Sequence, residues 1–113
     1  MGKLNSVTID SANAESQAKF WAQALEGYEI DSDWPMVLKS VEGPTIFFQQ
    51  VPEQKTVKNR VHLDMAVANR TAEVERLKAL GAAVQAEMDE GGYKWTVMQD
   101  PEGNEFCITQ SAE

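Results

Sequence analysis

The chain has 113 residues, 42% hydrophobic and 25% charged, the balance of one globular domain with a hydrophobic core. Eighteen acidic against ten basic side chains leave a formal net charge of -8 at pH 7, which argues against nucleic acid and anionic membrane surfaces as partners. No run approaches the roughly 18 consecutive apolar residues of a membrane span and no secretory pattern opens the chain, while a single cysteine, Cys107, excludes an internal disulfide; a reducing cytoplasm is the expected compartment.

In chain order, residues 4–10 alternate as a strand, and Asn13 precedes a predicted helix over 14–25 with Ala14, Ala18, Trp21, Ala22 and Leu25 on one stripe. Short strands follow at 28–31, 36–41 and 45–51. The polar segment 52–59 reads as a linker, and the same order then recurs. A strand at 60–67 leads to a helix at 72–80 built on Val74, Leu77 and Leu80, then strands at 83–87, 93–99 and 105–110.

The recurrence is also visible in wording. Ser6-Val7-Thr8-Ile9-Asp10-Ser11-Ala12-Asn13 lies over His62-Leu63-Asp64-Met65-Ala66-Val67-Ala68-Asn69 at an offset of 56. Val37-Leu38 answers Val97-Met98, and Glu42-Gly43 answers Glu102-Gly103, both at an offset of 60. The expected fold class is therefore α+β, two βαβββ modules at 4–51 and 60–110. In the turn Asp100-Pro101-Glu102-Gly103-Asn104, Pro101 presets the backbone and Gly103 supplies a conformation that side chains resist, so the turn reads as structural. Beyond it, Phe106 and Ile108 should point to the core, with Glu105, Cys107 and Thr109 on the other face. The Gly91-Gly92 pair suggests a loop able to move over a ligand.

Four stretches, FWAQALEGYEI at 20–30, FFQQVPE at 47–53, NRVHLDM at 59–65 and WTVMQDPEGNEFCI at 95–108, resemble the glyoxalase-like branch of the vicinal oxygen chelate superfamily. The resemblance spans nearly the whole chain. It implies a single domain over 1–113 in which the paired modules curve their mixed sheets into a cleft, with the helices on the convex side. Members of that superfamily include glyoxalase I, extradiol dioxygenases, methylmalonyl-CoA epimerase and bleomycin or fosfomycin resistance proteins, so the fold does not name the reaction.

Metal-dependent members of the superfamily carry four ligands, and the matching positions here are Ser6, Phe47, His62 and Cys107, where such enzymes show His, Glu, His and Glu or close variants. His62 alone keeps the pattern. Cys107 as a thiolate is a second zinc donor, and two donors are too few for a stable site. Glu105 faces the same way but sits roughly 7 Å along the strand from the ligand position. No metal and no cofactor is expected.

The remaining candidates form a polar floor of Ser6, Thr8, Gln49, His62, Asp64 and Glu105 with Phe47 as a plug or stacking platform. Trp34 and Trp95 are candidate apolar walls, core packing being the alternative for Trp95, while Phe20 and Trp21 read as core. His62 reads either as a general acid/base oriented by Asp64 or as a leftover ligand, and Cys107 as a half-buried small residue rather than a nucleophile. Three functions follow from this set: a protein that binds a small organic molecule, similar to the bleomycin-resistance members; a lyase or isomerase acting next to a carbonyl with His62 or Glu105 as base; or a regulatory module with a filled cleft. Asp64, Glu105 and Asp10 favour a cationic or neutral ligand. A homodimer is expected, since related two-module chains often dimerise and the edge strand at 28–31 is short and acid-flanked.

Overall fold

The computed structural model describes residues 1–111, which fall into two compact units, Met1–Lys55 and the residues from Thr56 onward, divided inside the predicted linker. The first unit runs β1 (Ser6–Ser11), α1 (Ala14–Ala24), β2 (Tyr28–Ile30), β3 (Val37–Ser40) and β4 (Thr45–Gln50). The second repeats it as β5 (Leu63–Val67), α2 (Arg70–Ala79), β6 (Ala83–Glu90), β7 (Tyr93–Gln99) and β8 (Glu105–Gln110). The expected pair of βαβββ modules is observed.

In the first unit the sheet order is β1-β4-β3-β2, with β1 parallel to β4 and the other pairs antiparallel. Alternation sends Leu38, Ile46 and Phe48 to one face, where they are buried and α1 packs over the sheet. Burying a side chain such as Phe48 or Leu38 contributes about 1.5–3 kcal/mol. The buried stripe of α1 is Ala14, Gln17, Ala18, Phe20, Trp21 and Ala24. Ala22 and Leu25, expected on it, are only half-buried: Ala22 falls on its flank, about 100° round from Trp21, and Leu25 is the C-cap, in extended conformation outside the helix.

The second unit has the matching order β5-β8-β7-β6. Val74 and Leu77 of α2 are buried, and α2 packs on β6, β7 and β8. The register repeats as well. Thr8 lies beside Phe47 in one sheet, and their repeat mates Asp64 and Cys107 lie beside each other in the other.

Several boundaries differ from the sequence reading, and three of the differences lie in the second module. β5 starts at Leu63 and leaves His62 just outside the strand, because Asn59 is drawn onto Glu105 and the chain before His62 leaves the ladder. α2 begins earlier, at Arg70, since Asn69 is its cap. β6 extends to Glu90, and Gly91 and Gly92, with φ of 62° and 90°, form a tight two-residue hairpin turn to β7 in place of the expected mobile loop. Among the described residues no helix is long and apolar enough to cross a membrane.

Candidate functional site

In the second unit, strand alternation sorts the side chains between the face under α2 and the opposite face. Met65, Thr96, Met98, Phe106 and Ile108 occupy the first and are buried. The opposite face carries Asp64 on β5, Glu105, Cys107 and Thr109 on β8, and Tyr93, Trp95 and Val97 on β7. Four second-module candidates, Asp64, Trp95, Glu105 and Cys107, thus share one face, and His62 joins it from the residue before β5.

At its centre His62, Asp64 and Cys107 offer ligand atoms that all lie within 4.8 Å of one another. His62 Nδ1 is 2.9 Å from Asp64 Oδ1, a hydrogen-bond distance, and both side chains are exposed. Cys107 is 8% exposed. Burial pushes its thiol up from the ordinary value, and the charge of Asp64 and a hydrogen bond to that carboxylate push the same way, with Lys58 opposing. The thiol is therefore protonated at neutral pH and donates to Asp64. It is a poor nucleophile in that state.

The sequence reading counted two metal donors, and the structure adds Asp64 as a third, brought in by the β5–β8 pairing. Ligands on a tetrahedral zinc lie about 3.3–3.8 Å apart, and a ligating cysteine must be deprotonated. A spread of up to 4.8 Å and a carboxylate already 2.9 Å from His62, closer than two ligands of one zinc lie, suit a hydrogen-bonded cluster better than a coordination sphere. The four positions of the metal-dependent pattern, Ser6, Phe47, His62 and Cys107, do not supply that ligand set.

Glu105 is 7% exposed, and its Oε1 accepts the Asn59 N–H at 2.7 Å while the Asn59 side-chain amide donates to the Glu105 carbonyl at 3.2 Å. That carboxylate anchors the incoming chain, a role more structural than catalytic. Asn59 and Lys58 were not singled out in the sequence; both lie in a polar linker whose side-chain direction carries no periodic signal.

Trp95 is half-buried beside Tyr93, with ring centroids 5.4 Å apart. Tyr93 gave no sequence signal of its own, but its position next to a Gly-Gly hairpin turn and two residues before Trp95 was one. Trp34 belongs to the first unit and is 63% exposed in the loop between β2 and β3. Also in the first unit, Ser6, Thr8, Asp10, Phe47 and Gln49 share the sheet face away from α1, with Val37 opposite Phe47. Phe47 is half-buried and the four polar residues are exposed. Phe20 and Trp21 are buried in an edge-to-face pair, as expected of core.

Among curated proteins the chain has no match. Solved structures share its fold. A glyoxalase/bleomycin resistance protein/dioxygenase family enzyme from Burkholderia phytofirmans PsJN is 20% identical, with 96% of this chain and 98% of that chain covered at a TM-score of 0.73. A glyoxalase-related enzyme from Fulvimarina pelagi is 17% identical, covering 98% of this chain and 89% of its own, at 0.73. TnmS3, an antibiotic binding protein from Streptomyces sp. CB03234, is 13% identical, with 99% and 98% covered, at 0.65. At such identities the likeness carries the fold alone. The model of the glyoxalase-like domain family, however, matches residues 6–109, the span of both βαβββ modules and of every candidate residue above, and the chain belongs to that family.

Proposed function

We propose that the chain binds a small organic molecule, cationic or neutral, and does so without a metal ion. The observation that carries this reading is the state of the His62–Asp64–Cys107 cluster. Asp64 holds both neighbours by hydrogen bonds, leaving a polar centre that is internally satisfied and lies on a sheet face with half-exposed aromatic rings. Small-molecule sites combine such apolar walls with a few placed polar groups. The likeness in fold to an antibiotic binding protein supports the reading.

One observation favours a second reading, a lyase or isomerase acting next to a carbonyl. With Nδ1 bonded to Asp64, the ring of His62 is oriented and Nε2 is the nitrogen left to exchange a proton with a ligand. Glu105, engaged by Asn59, is the weaker base of the two.

Metal content after dialysis without chelator, followed by calorimetric titration, tests the first reading. Zinc, nickel, manganese and iron are expected far below one equivalent, with no divalent site tighter than roughly millimolar, about -4 kcal/mol. Stoichiometric metal that disappears in His62→Ala but persists in Lys19→Ala would overturn it. Turnover of a small carbonyl substrate falling at least about a hundredfold in His62→Ala would establish the second.

A further inference from the structure

The face that carries the polar cluster also carries a preformed aromatic platform. Tyr93 and Trp95 alternate along β7 with their ring planes at 40°. The β6–β7 register sets Met88 beside Trp95, Ala86 beside Val97 and Glu90 beside Tyr93. Met88, Trp95, Tyr93 and Val97 thus form one continuous strip. Tyr93 is 59% exposed and Met88 39%, so the strip is not core. The tight Gly91–Gly92 turn closes this hairpin and holds the rings in place before any ligand arrives.

Carboxylates stand at the hairpin end of the strip and across the sheet from it. Glu90 stands at its hairpin end, exposed. Across the sheet, Val97 lies beside Cys107 and Cys107 beside Asp64, so Asp64 is two strands from the Val97 end of the strip, and Trp95, two residues further along β7, is roughly 12 Å from it at ordinary strand spacing. That span matches the long axis of two or three fused aromatic rings. Of the cations, Lys58 acts near Cys107 and His62 is paired with Asp64; Lys94 alternates to the opposite face of β7. Glu105, the third carboxylate of this face, is closed off by Asn59.

We infer that this face binds a flat aromatic cation of two or three fused rings, stacked on Trp95 with Met88 and the tilted Tyr93 ring at its edges and its charge directed to Asp64. The inference rests on the small-molecule reading above and adds to it the ligand class and its orientation. Ring stacking, cation–π attraction and sulfur–aromatic contact all act in the same pose, and each is strongest for a planar, positively charged ligand.

Calorimetry on the full chain with three flat tricyclic probes tests it: proflavine as the cation, acridone as the neutral frame and anthracenesulfonate as the anion. Proflavine is expected to bind at least about tenfold tighter than anthracenesulfonate. Asp64→Asn should erase that preference, lowering proflavine affinity by several-fold more than acridone affinity. Trp95→Ala should weaken proflavine and acridone by about tenfold or more, and Trp95→Phe should restore most of the loss, which separates a lost stacking surface from a lost fold. Equal binding of cation and anion by the native chain would overturn the inference, as would unchanged proflavine affinity in a folded Trp95→Ala protein. If other small molecules bind with affinities indifferent to Trp95→Ala, the inference fails and the small-molecule reading stands. If a chemically diverse set yields no binder, both fail.

Discussion

Asp100 shows how one side chain sets the path of a strand. It is buried, and its Oδ1 accepts the N–H groups of Glu102 and Asn104 at 2.9 Å each while Oδ2 accepts the Asn104 side-chain amide at 3.1 Å. The turn then needs Gly103 at φ +85°, a left-handed conformation, although a Cβ there would meet no atom within 4 Å. Strain alone is the penalty of a side chain. Gly103→Val is expected to lower stability by at least about 1 kcal/mol, read from a denaturation midpoint, and to leave ligand affinity of the folded protein unchanged. An unchanged midpoint with lost binding would make the turn a contact loop instead. The Asp-Pro-Glu-Gly-Asn wording made this turn legible, because the bonds from Asp100 to Glu102 and Asn104 are local. Glu105, one residue further, was not legible in the same way: its partner Asn59 lies 46 positions away.

At the helix starts the two modules repeat their chemistry. Asn13 and Asn69 cap α1 and α2 by accepting from Ser16 and Ala72 N–H. Gln50 and Gln110, repeat mates on the last strands, then reach back: each accepts the first helical N–H, of Ala14 or Arg70, and donates to the carbonyl of Ala12 or Ala68. Within α2, Glu73 and Arg76 form a two-pronged ion pair at 2.7–2.8 Å. The Arg76 hydrogen bond holds the Glu73 carboxyl below its ordinary 4.5 against the opposing effect of burial. A depressed carboxyl stabilises the fold above its unfolded value, and that contribution is lost as pH falls below 4.5 and through the lower folded value. Glu73→Gln should therefore lower stability at pH 7 by about 0.5 kcal/mol or less. The difference from the native chain should shrink in acid denaturation series as the pH falls below 4.5. A difference that is constant with pH would assign the effect to helix propensity.

For the molecule as a whole, the edge strands of the two sheets are β1 and β2 in one and β5 and β6 in the other, β2 having 3 residues and β6 having 8. β6 carries Glu87, Asp89 and Glu90 and a register irregularity between Val84 and Ala86, features that oppose open-ended pairing. Apolar surface nonetheless remains, including Trp34, Val41, Val57 and Val61. We propose a closed homodimer. Sedimentation equilibrium at micromolar concentration should give about twice the 12.6 kDa of the chain, and a monomer mass would exclude the dimer.

The sequence by itself determined the two βαβββ modules, the Asp100 turn and the alternation of β8. Each is written in windows of a few residues, where periodicity and local hydrogen bonding decide. It also showed that Ser6 and Phe47 do not continue the metal-ligand pattern, which is a matter of residue type alone. Only the tertiary structure decided which polar groups meet. Asp64 reaches Cys107 through the parallel β5–β8 pairing, and Met88, Tyr93 and Trp95 become one platform through the β6–β7 register. A one-residue slip in either pairing would turn these side chains to the other face, and register is set by tertiary packing, in which α2 lies on β6, β7 and β8, rather than by any short stretch of sequence.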